Sequence, residues 1–313
     1  PEMVEQFRAS FFEVISPLVE QFQPDLILCH HLYLLTAFVR QWFPDKKIYG
    51  FCHNTDLRQM QKTDLERTFI AEQIRKLDRI FVPQTAQQDG VVDIYQVDIE
   101  KTMIVGMGYN NKIFYVTGEK PKDGVTRIVF AGKIAEKKGV MSLIRSLSLL
   151  GKKAPHVQKG ALQVYLAGSA GNETEYREIQ RLAEECPYEI HFLGRLAQPA
   201  LAKVYNECDI FTLPSFFDGL PLTVIEALAC GDRVVVSDLP GIQAWVGEYA
   251  PGADVRYVTM PQMRNTDEPV PESLPEFEER LAKALLQSIH TKERKIADVS
   301  KISWEGIAKK VLG

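Results

Sequence analysis

Short apolar segments alternate with amphipathic segments along nearly the whole chain, and this alternation limits how the chain can fold. Runs such as residues 26–29 and 127–131 have the length and composition of buried strands, and apolar residues at helical spacing follow each of them. Strands that alternate with helices form parallel sheets whose two faces are covered by the helices. The sequence therefore predicts an α/β protein.

The alternation occurs twice. The first series has strands at 26–29, 48–52, 79–82 and 103–106, and the second has strands at 127–131, 162–167, 189–193, 210–213 and 233–237. Residues 116–126 between them are polar and contain glycine and proline, which is typical of a linker. A length of 313 residues also suits two domains. We predict two Rossmann-like, doubly wound domains at 1–118 and 119–300, followed by a closing segment at 301–313.

Composition excludes several classes of protein. The net charge is -4 and no basic block is present, so we expect no nucleic-acid partner. The five cysteines are widely spaced and form no CxxC pair, which indicates reduced thiols and neither a disulfide framework nor a zinc site. No run of 18 apolar residues occurs. We therefore expect a cytoplasmic protein that needs no metal.

A glycine- and lysine-rich loop follows the strand at 127–131. It contains Gly132, Lys133, Lys138 and Gly139, and a predicted helix begins at its end. Glycine permits close approach of a ligand to the backbone, and lysines beside a helix N-terminus attract an anion. A diphosphate fits this pattern, although a solvated lysine-rich loop before a surface helix would have the same sequence.

Two carboxylates follow the strand at 210–213. Asp218 lies in a predicted loop, and Glu226 lies in the next helix between apolar residues. A buried carboxylate is costly unless it has a partner, and a ribose diol can donate two hydrogen bonds to it. The alternative is an acid that is favoured by the dipole at a helix N-terminus.

Residues 214–231 resemble the nucleotide-sugar signature of family 4 glycosyltransferases, which are retaining enzymes with the GT-B fold. The loop from Gly132 to Gly139 is similar to the phosphate loop of this family, and residues 166–168 and 192–194 resemble two of its strand ends. Residues 108–114 resemble the stretch that precedes its linker. The resemblance extends over nearly the whole chain.

The resemblance implies a role for each matching residue. Lys138 would bind the donor diphosphate with help from Lys133, and Glu226 would hold the nucleotide ribose. Asp218 would contact the transferred sugar together with the backbone amides of Gly219 and Leu220. His53, at the end of a strand in the first domain, matches the family's histidine near the reacting sugar, although a histidine at a strand end is also often a plain loop residue.

Three departures from the family pattern predict an altered donor site. Lys133 replaces an arginine and loses its two-pronged hydrogen bonding, and Asp218 replaces a glutamate that is one methylene longer. Residues 240–245 differ from the family's usual stretch of glycine and acid.

The implied activity is that of a retaining hexosyltransferase, which transfers a sugar from a nucleoside diphosphate sugar to an acceptor hydroxyl without a cofactor. The acceptor is open between a lipid, a polysaccharide and a small molecule; the first two would bring the protein to the inner face of a membrane as a peripheral protein. The family also implies that 301–313 returns toward the N-terminal domain, and that this domain lacks about 60–90 residues.

Three other functions remain as alternatives. A non-catalytic nucleotide-sugar sensor could use the same fold, because fold does not fix activity. An NAD-dependent dehydrogenase also has doubly wound domains, and Gly106 and Gly108 hint at its dinucleotide-binding fingerprint, but Asn111 breaks the fingerprint and the pair comes late in its domain. A sugar-phosphate epimerase or a phosphorylase of similar architecture is the third alternative.

Overall fold

The computed structural model describes residues 2–118, 120–154, 157, 160–291 and 295–313. They form two compact units, of which the first extends to Met107 and includes Ile307–Gly313, and the second is Gly108–Gly306. The division falls before the predicted boundary at residue 118, because the segment after Gly108 packs into the second unit. Phe114, for example, is fully buried with its ring 6.0 Å from that of Tyr205.

The first unit contains one parallel sheet of four strands in the order β1-β2-β3-β4. Its elements are α1 (Glu2–Phe22), β1 (Leu26–His30), α2 (Leu34–Trp42), β2 (Lys47–Phe51), α3 (Asn54–Lys62), α4 (Arg67–Arg75), β3 (Arg79–Val82), α5 (Thr85–Tyr95) and β4 (Thr102–Ile104). Because β1 lies at one edge of the sheet, only one side of this strand is paired with a described strand.

Apolar side chains of the strands and helices form the core of the first unit, with Ile48, Ile80 and Val82 fully buried. Gly50 in β2 lets buried side chains pack closely on the strand, because a Cβ atom there would lie 2.6 Å from a Leu32 methyl carbon. Residues from Ile307 onward add to this unit, where Ile307 is buried in a cluster with strand side chains.

The second unit contains a parallel sheet of six strands in the order β10-β9-β8-β5-β6-β7. Its elements are β5 (Thr126–Ala131), α6 (Val140–Lys153), β6 (Leu162–Ala167), α7 (Glu173–Glu184), β7 (Glu189–Gly194), α8 (Gln198–Glu207), β8 (Ile210–Leu213), α9 (Leu222–Ala229), β9 (Arg233–Ser237), α10 (Ile242–Tyr249), β10 (Val255–Val258), α11 (Leu274–His290) and α12 (Trp304–Leu312), the last of which ends in the first unit. The order of the strands reverses between β5 and β8. This is the topology of a doubly wound nucleotide-binding domain.

The predicted α/β class with parallel sheets is confirmed, and every predicted strand is present. Two elements were missed. The sequence analysis predicted no helix at α3 and no strand at β10. Among the described residues no helix combines the length and the apolar character needed to cross a membrane.

Candidate functional site

The two motif loops of the second unit begin at the point where the strand order reverses. Gly132 follows β5 and Pro214 follows β8, and these two strands are neighbours in the sheet. Parallel strands place their carboxyl ends at one edge of the sheet. At the point where the strand order reverses, the loops after the two neighbouring strands lead to opposite faces of the sheet, and a crevice forms between them. Topology alone therefore brings the glycine- and lysine-rich loop beside the loop that carries Asp218.

Direct contacts hold the two loops together. Gly139 has a φ of +72°, and a Cβ atom at this position would lie 1.9 Å from the carbonyl oxygen of Pro214. Only glycine permits both the left-handed backbone and this approach. The N–H of Phe216 also donates to the carbonyl of Lys137 over 3.0 Å. The two loops are therefore packed directly against each other.

Lys138 and Asp218 form an ion pair across these loops. The Lys138 Nζ lies 2.6 Å from Asp218 Oδ2, and it also donates to the carbonyl of Phe217 over 3.3 Å. Both side chains are about four-fifths buried, with 19% and 23% exposed. The residues predicted to touch a diphosphate and a sugar are thus in contact although 80 positions separate them in sequence.

The backbone beside this ion pair offers free donors. The N–H groups of Gly219 and Leu220 have no acceptor among the residues that the structure describes. A Cβ atom built on Gly219 would meet nothing within 4 Å, so open space lies beside this residue. Unpaired N–H groups in front of a helix start are suited to hydroxyl or phosphate oxygens.

A cavity of about 430 Å³ opens beside the first loop. Strand ends and one helix contribute Gly132 and Lys133 after β5, Gly168 after β6, Arg195 after β7 and Thr223 from α9. The volume is that of a small-molecule site. A Cβ atom on Gly168 would lie 1.6 Å from the carbonyl oxygen of Gly132, so this wall of the cavity requires glycine.

Glu226 lies on α9 one turn after Thr223, and residues three apart share a helix face. Its side chain is buried with 7% of the residue exposed, and no described side chain or N–H donates to its carboxylate. Burial raises the pKa of Glu226 to about 7. Burial thus favours the protonated form of the carboxyl group, which lacks the hydrogen bonds that a diol would provide.

His53 lies in the first unit, at the end of β2 and directly before α3. Its Nε2 is 3.1 Å from Nδ1 of His30, and its ring centroid is 4.4 Å from that of His31. Burial lowers the pKa of His53, and the charge of His31 lowers it further. The neighbouring Asp56 carboxylate, which is buried, accepts the N–H of His53 over 3.0 Å and of Leu32 over 2.7 Å, so the backbone around the histidine is fixed.

The structure therefore brings most of the predicted donor residues together. The two loops, which pack together at Gly139, bring Lys138 into contact with Asp218. The cavity is lined by Gly132, Lys133 and Thr223, and Thr223 is one helical turn from Glu226. His53 belongs to the other unit. The roles predicted for these residues stay predictions.

The sequence analysis missed several lining residues, among them two with polar side chains that could contact a ligand. Arg195 and Thr223 face the cavity, and no role was predicted for either. A signal was present for both, because Arg195 directly follows the strand end at 192–194 and Thr223 lies inside the signature string. Among the described residues, no group of three or more His, Cys, Asp or Glu could hold a metal ion.

The chain is similar in sequence and in fold to known glycosyltransferases. Residues 125–259 match the model of the family described as "Glycosyl transferases group 1". A D-inositol 3-phosphate glycosyltransferase of Stackebrandtia nassauensis is 26% identical over 195 residues, which cover 58% of this chain and 44% of that protein. The chain thus spans less than half the length of this curated relative.

Solved structures share the fold over nearly the whole chain. Sucrose-phosphate synthase from Thermosynechococcus elongatus aligns with a TM-score of 0.64 and 19% identity, over 99% of this chain and 78% of that one. HepE of Anabaena, solved in complex with UDP and glucose, aligns with a TM-score of 0.62 and 15% identity, over 96% of this chain and 81% of that one. These likenesses show the GT-B fold, and the family match confirms the predicted resemblance to glycosyltransferases.

Proposed function

We propose that this chain, which carries a domain of the glycosyl transferases group 1, transfers a hexosyl unit from a nucleoside diphosphate sugar to an acceptor hydroxyl with retention of configuration. The observation that carries the proposal is the ion pair of Lys138 and Asp218 at the reversal point of the second sheet. It joins a cation suited to a diphosphate with an acid suited to sugar hydroxyls, at the place where such folds bind ligands.

Each residue then has one task. Lys138 and Lys133 neutralise the charge that develops on the diphosphate when its bond to the anomeric carbon breaks. Asp218 and the N–H groups of Gly219 and Leu220 hold the transferred sugar, and Glu226 accepts hydrogen bonds from the ribose hydroxyls. The acceptor oxygen forms the new bond to the anomeric carbon, and its proton passes to an oxygen of the departing phosphate.

We propose that the two lysines, together with the N-terminus of α6, supply the positive charge for this step without a metal ion or another cofactor. The helix begins at Val140, directly after Gly139, so its unpaired N–H groups lie at the phosphate loop. HepE, which shares this fold, was solved in complex with UDP and glucose, and this supports a nucleotide-sugar donor for the present chain. His53 is proposed to contact the sugar, as in the family.

The charge at position 138 provides the test. Lys138→Met should lower kcat/KM for a nucleoside diphosphate sugar by about 100- to 1000-fold, because removal of one preorganised donor from a developing charge costs that much. Release of nucleoside diphosphate is measured for UDP, GDP and ADP sugars with a panel of lipid, polysaccharide and sugar-phosphate acceptors.

Lys137→Met is the matched control, since Lys137 lies on the same turn but is exposed and lines another cavity. It should keep its activity. Equal turnover by wild type and Lys138→Met would remove the diphosphate assignment. Tight nucleotide-sugar binding without turnover of any donor and acceptor would instead indicate a sensor on the same fold.

A further inference from the structure

A second cavity, of about 650 Å³, lies in the first unit at the amino-terminal edge of its sheet. The segments around it are the end of α2, the loop that enters β2 and the residues between α4 and β3. Parallel strands place their amino ends opposite to their carboxyl ends, so this cavity is at the other edge from His53. Its volume is sufficient for a small-molecule ligand.

The lining of this cavity is predominantly cationic. Arg40, Lys46, Lys47 and Lys76 face two acids, Asp45 and Asp78. Asp78 is already engaged, because its Oδ2 accepts the N–H of Ile48 over 2.8 Å and lies 3.4 Å from Arg40. Lys76 is exposed and makes no ion pair with any described residue. Four cations and two acids give the lining an excess of positive charge, which favours an anionic guest.

Two buried polar side chains also line the cavity. Gln73 is 8% exposed, and its amide makes no hydrogen bond to a described residue but is open to the cavity. An amide at a cavity wall can donate hydrogen bonds to a ligand there. Arg40 is 5% exposed and bonds the carbonyl of Phe43 and the Asp78 carboxylate, which leaves further guanidinium donors unused.

We propose that this cavity binds a phosphate-bearing anion. Lys46 already donates to Gln23 Oε1 over 3.2 Å and to the carbonyl of Pro24 over 3.3 Å, and Lys47 lies over the ring of Tyr49. The guanidinium of Arg40, the ammonium of Lys76 and the amide of Gln73 are the main remaining donors, and the oxygens of a phosphate are strong acceptors with the opposite charge. The ligand is either a free phosphorylated compound or the anionic headgroup of a lipid. The proposal concerns the first unit alone and does not depend on the proposed function.

The experiment measures where a phosphate probe protects the backbone. Hydrogen–deuterium exchange of the full chain is followed with increasing inorganic pyrophosphate, in peptides that cover 40–48 and 72–79. Peptides that cover 132–139 and 214–220 report separately on the donor site. We expect saturable protection of the first pair of peptides in the wild type, weakened by added salt because the cations are partly exposed.

Substitutions identify the groups that bind the probe. Lys76→Gln removes an exposed charge without affecting the core. It should raise the dissociation constant of pyrophosphate, measured from the protection of 40–48 and 72–79, about fivefold. Gln73→Met, which keeps the volume but removes the amide, should raise it to a similar extent. Lys62→Gln, an exposed lysine elsewhere in the first unit, is the matched control and should leave it unchanged.

A second arm separates the two sources of phosphate. Binding to an anionic lipid headgroup is detected by sedimentation with phosphatidylglycerol vesicles, with phosphatidylcholine vesicles as the comparison. Stronger binding to phosphatidylglycerol that Lys76→Gln reduces would support a lipid as the ligand. Pyrophosphate protection without vesicle binding would support a free compound. The proposal is overturned if pyrophosphate does not protect 40–48 and 72–79 and phosphatidylglycerol vesicles bind no more protein than phosphatidylcholine vesicles do. It is also overturned if Lys76→Gln and Lys62→Gln behave alike.

Discussion

Glu226 keeps a carboxyl group inside α9 without a hydrogen-bond partner among the described residues. Burial raises its pKa from 4.5 to about 7, so the folded chain binds a proton at this site more tightly than the unfolded chain does. Where the folded state binds more protons, stability falls as pH rises. The destabilising contribution of Glu226 thus grows between about pH 4.5 and pH 7 and is complete above this window.

Glu226→Gln should remove this dependence. Relative to the variant, the wild type should lose about 2 kcal/mol of its free energy of unfolding between pH 5 and pH 8. Urea unfolding at the two pH values measures it. Glu184→Gln, an exposed acid on α7, is the control and should show no such growth. A constant difference for Glu226→Gln would mean that its carboxyl group is not protonated in the folded chain.

The sequence could identify Glu226 as a carboxylate that needs a partner, because apolar residues surround it on a helix. It could not provide the raised pKa, since this depends on the depth to which α9 is buried in the second unit. The direct contact between Lys138 and Asp218 could not be predicted from their spacing in the sequence either. It requires that β5 and β8 be neighbours, which only the reversal of the strand order provides.

At the scale of elements, the close approach of Gly139 to Pro214 joins the start of α6 to the loop after β8. Gly139→Ala would place a Cβ atom 1.9 Å from the Pro214 carbonyl oxygen at a φ of +72°. A clash with backbone combined with left-handed strain should lower the free energy of unfolding by about 2–4 kcal/mol. The displaced loop should also bind nucleotide more weakly.

Gly247→Ala is the control for this substitution. Gly247 is within α10, and a Cβ atom there would meet nothing within 4 Å. Alanine should stabilise this helix by about 0.5–1 kcal/mol because glycine is the poorer helix former. Both variants are compared by urea unfolding and by titration with UDP, GDP and ADP. If Gly139→Ala had the stability of the wild type, the two loops would be less tightly packed than the structure indicates.

The elements themselves were predictable to different extents. Strands such as β5 and β8 are apolar runs that can only be buried, so the sequence located them. Helix α3 was missed because it begins in the polar string Asn54-Thr55-Asp56 and is largely hydrophilic, with only Leu57 and Met60 as buried apolar side chains. Strand β10 has four residues and is only half buried, so its pattern was too short to recognise.

At the scale of the whole molecule, one apolar surface stands out against a net charge of -4. Helix α1 exposes Val14 and Leu18, which are 61% and 58% accessible, together with Met3 and Phe22. Strand β1, at the edge of the sheet, exposes Leu28 as well. An apolar helix face and an unpaired strand edge both promote association between molecules.

The chain should therefore self-associate reversibly as its concentration rises. Val14→Lys combined with Leu18→Lys places two charges one turn apart on the exposed face of α1, where burial against another molecule becomes costly. Because both side chains are exposed, the free energy of unfolding should change by less than about 0.5 kcal/mol for each substitution. Sedimentation velocity at several concentrations should show a smaller average mass for the double variant than for the wild type.

Ile99→Lys is the control, because Ile99 is an exposed apolar residue before β4, and this substitution should not reduce the mass. If all three proteins sedimented alike, the face of α1 would not be the surface through which the chain associates.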